Sequence, residues 1–241
     1  MFGYITAEVA VRLFGHVFAQ RAQQKVFRFI SQSIMADLWF NKTGVKDLWL
    51  AMTSGKDQDA KQFAEASLVL ISVFDLIPGM SVASGDMIKN ATTIKTMAGE
   101  SGKTLKELVD AECGGKDAKA LKAVSGDGKT FTCALLWLVR ALYFIVKLLE
   151  PLVNDPSKKT SECVLAGYEV SLKPHHGFMV KGTFSVAVKA APNRENFLAK
   201  LDVSEAEVKA KVDAVAPVAQ ALLDALNEML KGYSADHLKV F

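Results

Sequence analysis

Apolar positions recur along this chain at helical spacing, and no stretch shows the strict alternation of a half-buried strand. The longest run, from Phe131 to Leu149 (FTCALLWLVRALYFIVKLL), carries Arg140 and Lys147 as its only charges and contains neither Gly nor Pro. Apolar residues fall on every face of the helix it predicts, which in a soluble protein means a helix wrapped by other helices. The run is long enough to cross a bilayer. Against that, Arg140 near its middle would cost about 2.5–3.5 kcal/mol to insert, and no stop-transfer pattern flanks it. A buried core helix is therefore expected. Trp137, bulky and polar-tipped, lies one turn before Arg140 and has no evident core role.

The same rhythm predicts the other elements. Phe2, Ile5, Val9, Leu13 and Val17, followed by Val26, Ile30 and Ile34, outline helical structure over residues 1–40. Asn41-Lys42-Thr43-Gly44 and Ser54-Gly55-Lys56-Asp57 read as loops. A helix from Gln58 to Leu76 stops at Pro78-Gly79, and Ser81 or Ser84 caps another that runs to about Met97. Short helices follow over Thr104–Cys113 and Lys116–Val124. Pro151 and Asn154-Asp155-Pro156 end the central helix. Ser161 to Ala191 is helical with a kink or one-turn break at Pro174, and Asn193–Leu201 is short. Ser204 with Glu207 at the third helical position forms a capping box that opens a last helix to about Lys231. The fold class is all-α, with six to nine helices and no internal repeat.

Composition narrows the function. Half of the 241 residues are hydrophobic, enough for a sizeable core, and the net charge is only +3. That is too little for the concentrated basic face of a nucleic-acid binder. Three cysteines, Cys113, Cys133 and Cys163, lie far apart with no CxxC, so neither a disulfide framework nor a zinc site is indicated, and a reducing, cytoplasmic setting is expected. Up to Asp37 the only acid is Glu8, against Arg12, Arg21, Lys25 and Arg28, which leaves organelle targeting by residues 1–40 open. The Ser-rich character of a transit peptide is missing, so a helix or hairpin packed on the domain is the favoured reading.

Several motifs fail on chemistry. Gly102-Lys103-Thr104 and Gly128-Lys129-Thr130 look like the end of a phosphate-binding loop, but Met97 and Ala123 stand where that loop needs its first Gly. His175-His176 has no companion His or Cys cluster, and adjacent side chains diverge, so no metal is expected. No GxSxG-like elbow is present, and catalysis has no support. Asp86, Asn90 and Thr93 share one helix face, beside an apolar stripe of Met87, Ala91, Ile94 and Ala98. Such a stripe is more often a solvated face than a ring of donors and acceptors around a hydrophobic site.

Taken together, GDMIKNATTIK (85–95), LLWLVRALYFIVKLL (135–149) and GYEVSLKPHHGFMVKGTFSVAVKAAPNRENFLAKL (167–201) resemble the glycolipid transfer protein family, over roughly residues 62–240. The resemblance reverses the reading of the Asp86 stripe. It implies a two-layer all-helical sandwich over residues 61–241, preceded by a helical N-terminal extension over 1–60. The sandwich would hold one sphingolipid, headgroup outward and chains between the layers. Asp86 and Asn90 match the sugar-binding Asp and Asn, and Trp137 the Trp under the first sugar ring. His176 matches the His that bonds the ceramide amide, whose N–H Asp86 would take, and Phe184 an aromatic at the chain entrance.

Three positions depart from the family pattern. Thr93 replaces a Lys of the headgroup site; Lys95 lies on the opposite helix face and cannot substitute, whereas Lys89 lies about 60° from Asp86. Phe178 replaces the membrane-docking Trp, keeping the apolar surface without the indole N–H. Leu238 falls where the family has a Tyr. The phosphosphingolipid branch of the family has a Lys at the Asn90 position and Arg at those of Cys133 and Trp137, so a ceramide-1-phosphate carrier is the alternative but lacks its cations here. A carboxylate buried without donors is costly, so a buried Asp86 would discriminate strongly among headgroups. The implied protein is a monomeric, non-enzymatic glycosphingolipid carrier without cofactor, touching membranes transiently. A lipid-regulated interaction module using residues 1–60 is a further alternative.

Overall fold

The computed structural model describes residues 38–52, 55–100 and 102–233, with the backbone alone for 81–83. The helical reading of residues 1–37 and the position of Leu238 lie outside the described residues. Among the described residues eleven α-helices follow in order: α1 (Trp39–Thr43), α2 (Val45–Leu50), α3 (Ala60–Ile71), α4 (Ser81–Ala98), α5 (Leu105–Cys113), α6 (Ala118–Gly126), α7 (Phe131–Asn154), α8 (Thr160–Val170), α9 (Phe178–Val188), α10 (Arg194–Leu201) and α11 (Glu205–Tyr233). Two 3-10 turns, Ser72–Leu76 and Lys173–His175, join α3 to α4 and α8 to α9. No strand forms among the described residues; the nearest approach is a single bridge between Asp59 and Thr104.

Side-chain caps set most helix starts. Asp59, Asp117 and Asn193 accept from the backbone N–H three residues on. Thr104 and Glu107 form a full capping box at α5, and Ser204 accepts from Glu207 N at 3.2 Å to open α11. The start of α7 is held twice. Thr130 accepts from Cys133 N, and the Glu112 carboxylate on α5 accepts from Phe131 N and Thr132 N at 3.0 and 2.6 Å. A carboxylate there answers both the free N–H groups and the helix dipole.

Helix α7 is the shared centre of the sandwich. Helices α4, α8 and α11 pack along it, α3 pairs with α4, and α5 and α6 cover its N-terminal part. Of its most apolar 18-residue stretch, 89% is buried inside the protein, so it is a core helix. The α7–α8 crossing is close because α8 offers Gly167: a Cβ there would stand 2.9 Å from both Leu148 N and Phe144 O. Only a residue without Cβ fits such an approach.

Four details differ from the sequence reading. Asn41–Thr43 are helical, and the chain turns instead at Gly44, whose φ of +62° suits Gly. Helix α4 has Met80 at its N-cap and no side-chain cap, with Ser81 already helical. Pro151 does not stop α7, which runs on to Asn154; the missing Pro151 N–H costs the helix only its bond to the Lys147 carbonyl. The break around Pro174 spans residues 171–177 and is wider than one turn. In addition, α1 and α2 share the main core: Trp39, Phe40, Val45 and Trp49 are all buried within it. Trp49 is fully enclosed and donates Nε1–H to Ala66 O at 3.2 Å.

Candidate functional site

From Phe131 to Val146 every residue is buried except Trp137, which is half-buried. Helix α7 is sheathed on all faces at this level, apart from one window where the indole reaches the surface. The ring's neighbours are charged or chargeable. The Arg140 guanidinium lies 4.8 Å from the ring centroid, and His176 lies nearly parallel to it at 5.9 Å and 23°. His175 meets it edge-on at 6.4 Å. Arg140 is itself only 4% exposed, and burial lowers its pKa to about 10, still charged at neutral pH.

The break after α8 places His176 here, because the chain must turn between α8 and α9. The Tyr168 hydroxyl, from the last turns of α8, reaches His176 Nδ1 at 3.0 Å. Asp86 on α4 lies close enough for its charge to act on His176 and favour the imidazolium. Burial outweighs it, with Lys181 and Arg140 adding to burial, so the His176 pKa lies below its ordinary value and the ring is neutral at pH 7. Asn90, one turn after Asp86, is half-buried on the same helix face.

Behind this polar rim runs a chain of aromatic rings. Phe184 stacks on Tyr168 at 3.7 Å and 17°, Phe144 meets Phe184 edge-on at 5.7 Å, and Phe74 stacks on Phe144 at 5.3 Å. The rings lead from the surface window to the middle of the core, and their mutual contact closes that path in this structure. Two hollows lie elsewhere: an apolar cavity of about 20 Å³ among Trp39, Leu70, Leu149 and Val215, and an open one of about 380 Å³ beside Arg194, Leu198 and Asp202. Neither adjoins Trp137. Polar groups converging on an apolar interior beside a surface aromatic suit an amphiphile with an amide or hydroxyl near its head.

Residues 58–203 match the glycolipid transfer protein (GLTP) family, more than half of the chain. The chain belongs to this family. The glycolipid transfer protein of Danio rerio is 30% identical over 200 residues, covering 77% of this chain and 92% of that one. HET-C2, a fungal glycolipid transfer protein, has a similar crystal structure at a TM-score of 0.64 and 24% identity, with 79% of this chain and 95% of that one aligned. Human ceramide-1-phosphate transfer protein in complex with 12:0 ceramide-1-phosphate superposes at a TM-score of 0.70 and 18% identity, over 84% and 100%. At these identities the structural likenesses establish the fold, a GLTP-type all-helical sandwich.

Within this GLTP fold, Asp86, Trp137 and His176 come together at one surface window, and Phe184, at 6% exposure, joins the aromatic path behind it. Thr93 contributes less than its position suggests, because its hydroxyl donates to Lys89 O at 2.9 Å within the helix. Lys95 pairs with Glu65 on α3 at 3.0 Å, as its helix face predicts. Asp86 is solvent-exposed, contrary to the expectation of a buried carboxylate: α4 presents it at the rim of the window. Cys133 is buried and burial raises its thiol pKa, so it offers no positive charge. Phe178 and Met179, at 91% and 84% exposure, project from the start of α9 beside the window.

Arg140, Tyr168 and Phe144 were not singled out as site residues from sequence. Arg140 was within reach, one turn from Trp137. Tyr168 and His176 are eight residues apart across an irregular break, and no periodicity relates them.

Proposed function

We propose that this protein is a non-enzymatic carrier that binds one glycosphingolipid and moves it between membranes. The observation that carries the reading is the single window in the sheath of α7, where Trp137 surfaces against His176 and Asp86 with an aromatic path leading inward. Trp137 offers a flat face to a sugar ring, Asp86 and Asn90 accept and donate to its hydroxyls, and His176 with Asp86 brackets the ceramide amide. Burying a lipid chain in protein instead of bilayer is nearly neutral, since each CH₂ gains about 0.8 kcal/mol over water in either apolar medium. The chains therefore allow extraction, while the few polar contacts at the rim select the headgroup.

Phe178 and Met179 are the surface that touches the membrane. Two large apolar side chains project next to the window, with Lys181 one turn on. Docking there sets the lipid's exit path against the bilayer.

The competing reading is a ceramide-1-phosphate carrier, favoured by the guanidinium of Arg140 at the window. That group is buried behind Trp137, and the thiol of Cys133 leaves the same face without a second cation. Native mass spectrometry of lipid co-purified with the protein, together with vesicle-to-vesicle transfer of glucosylceramide and ceramide-1-phosphate, separates the two. A neutral glycosphingolipid and preferential glucosylceramide transfer are the expected results. A co-purified phosphate-bearing lipid would overturn the headgroup assignment.

A further inference from the structure

We propose that Tyr168 is a positioning residue: it donates its hydroxyl proton to His176 Nδ1 and so fixes the imidazole proton on Nε2, the donor left for the lipid amide. The ligand half of this proposal rests on the carrier reading above; the tautomer half stands on the protein alone. A neutral imidazole has one nitrogen that donates and one that accepts, and 3.0 Å separates the Tyr168 oxygen from Nδ1. Two assignments satisfy that distance. In one, Nδ1–H donates to the hydroxyl oxygen; in the other, the hydroxyl donates to a bare Nδ1.

The surroundings choose between them. Tyr168 is 2% exposed, stacked on Phe184 and edge-on to Phe144, so its hydroxyl does not open to water. Among the described residues it has no other hydrogen-bond partner than His176. Were Nδ1 protonated, the phenol proton would be stranded beside aromatic carbon. With Nδ1 bare, the phenol proton is satisfied and only oxygen lone pairs go unfilled. A buried donor without an acceptor is the heavier cost, so Tyr168 donates. Burial also raises the Tyr168 pKa, keeping the proton available.

The groups facing His176 are compatible with a neutral ring. Asp86 from α4 favours the imidazolium, Arg140 from α7 and Lys181 from α9 oppose it, and burial decides for the neutral form. His176 stands just past the short 3-10 turn, held in the backbone by its N–H donating to Lys173 O at 3.4 Å. Its ring is oriented by Trp137 at 23° and by Tyr168. The result is a relay of orientation: α8 holds Tyr168, Tyr168 sets the proton on His176, and that proton reads the ligand's amide carbonyl.

The test is a two-bond ¹H–¹⁵N correlation spectrum of the histidine rings in the full-length, lipid-free protein at pH 7.5, with His176 assigned by loss of its signals in His176→Gln. The expected pattern is a pyrrole-like Nε2 and a pyridine-like Nδ1. In Tyr168→Phe, which keeps the ring stack, the two nitrogens should move toward averaged shifts. Affinity for glucosylceramide in vesicles should fall about 10-fold, the equivalent of one net hydrogen bond. A wild-type ring protonated on Nδ1, or a tautomer unchanged in Tyr168→Phe, overturns the proposal. An averaged tautomer with undiminished lipid affinity overturns the positioning role. Undiminished affinity in His176→Gln as well would show that the carrier site, and not the tautomer lock, has been misassigned.

Discussion

Replacing Gly167 with Ala probes the contact on which the site's geometry depends. A Cβ at this position meets Leu148 N and Phe144 O at 2.9 Å and Lys147 C at 3.1 Å. All three are backbone atoms of α7 and cannot rotate away. Ordinary van der Waals separation begins near 3.4 Å, so α8 must retreat from α7 by roughly 0.5 Å, opening the packing along the interface. Overpacking of this kind costs about 1–3 kcal/mol. For a protein of this size that is a fall in Tm of about 2–12 °C, readable by circular dichroism at 222 nm. Gly182→Ala on α9 is the matched control. No atom lies within 4 Å of its Cβ position, so the gain in helix propensity, about 1 kcal/mol, should leave Tm level or raised. Because Tyr168 adjoins Gly167, the retreat also displaces the phenol from His176, and glycolipid transfer should fall in Gly167→Ala. A Gly167→Ala protein with wild-type Tm, alongside a normally behaving Gly182→Ala, would refute the tight crossing and its hold on the site.

Asp86→Val and Trp137→Ala should each abolish glucosylceramide transfer between vesicles while far-ultraviolet circular dichroism remains unchanged, since Asp86 is exposed and Trp137 half-buried; full transfer in both would remove the site assignment. Trp49→Ala should lower stability by about 3–5 kcal/mol in chemical denaturation, because this fully enclosed side chain from α2 fills the common core; a negligible change would detach α2 from the folded domain. His176 makes stability depend on pH. Its native pKa lies below the ordinary value of 6.5 because burial disfavours the charged ring. The unfolded chain therefore binds a proton that the native protein does not, and stability is lost as pH falls through 6.5 toward the native pKa. Wild-type Tm should thus decline on acidification across that window more steeply than that of His176→Gln, and identical slopes would count against a half-buried neutral imidazole.

The sequence alone determined the local grammar of this protein. Helix existence follows from periodicity and from caps such as Thr130, Thr104 with Glu107, and Ser204, whose partners lie within four residues. The burial of α7 was legible because its apolar residues leave no polar face. Asp86, Asn90, Trp137 and His176 were legible too, but only as a spaced set resembling a family; spacing by itself left the Asp86 stripe as a solvated face. Tertiary structure decided the rest. A helix apolar on every side cannot reveal where its sheath opens, so the exposure of Trp137 depended on how α4, α8 and α9 meet around it. Gly167 looked like an ordinary helical Gly until α7 lay against it. Tyr168 and His176 are joined by an irregular turn whose path is set by packing and not by sequence period. In the same way α1 and α2, too short to stand alone, entered the domain only through the core that Trp39 and Trp49 help to fill.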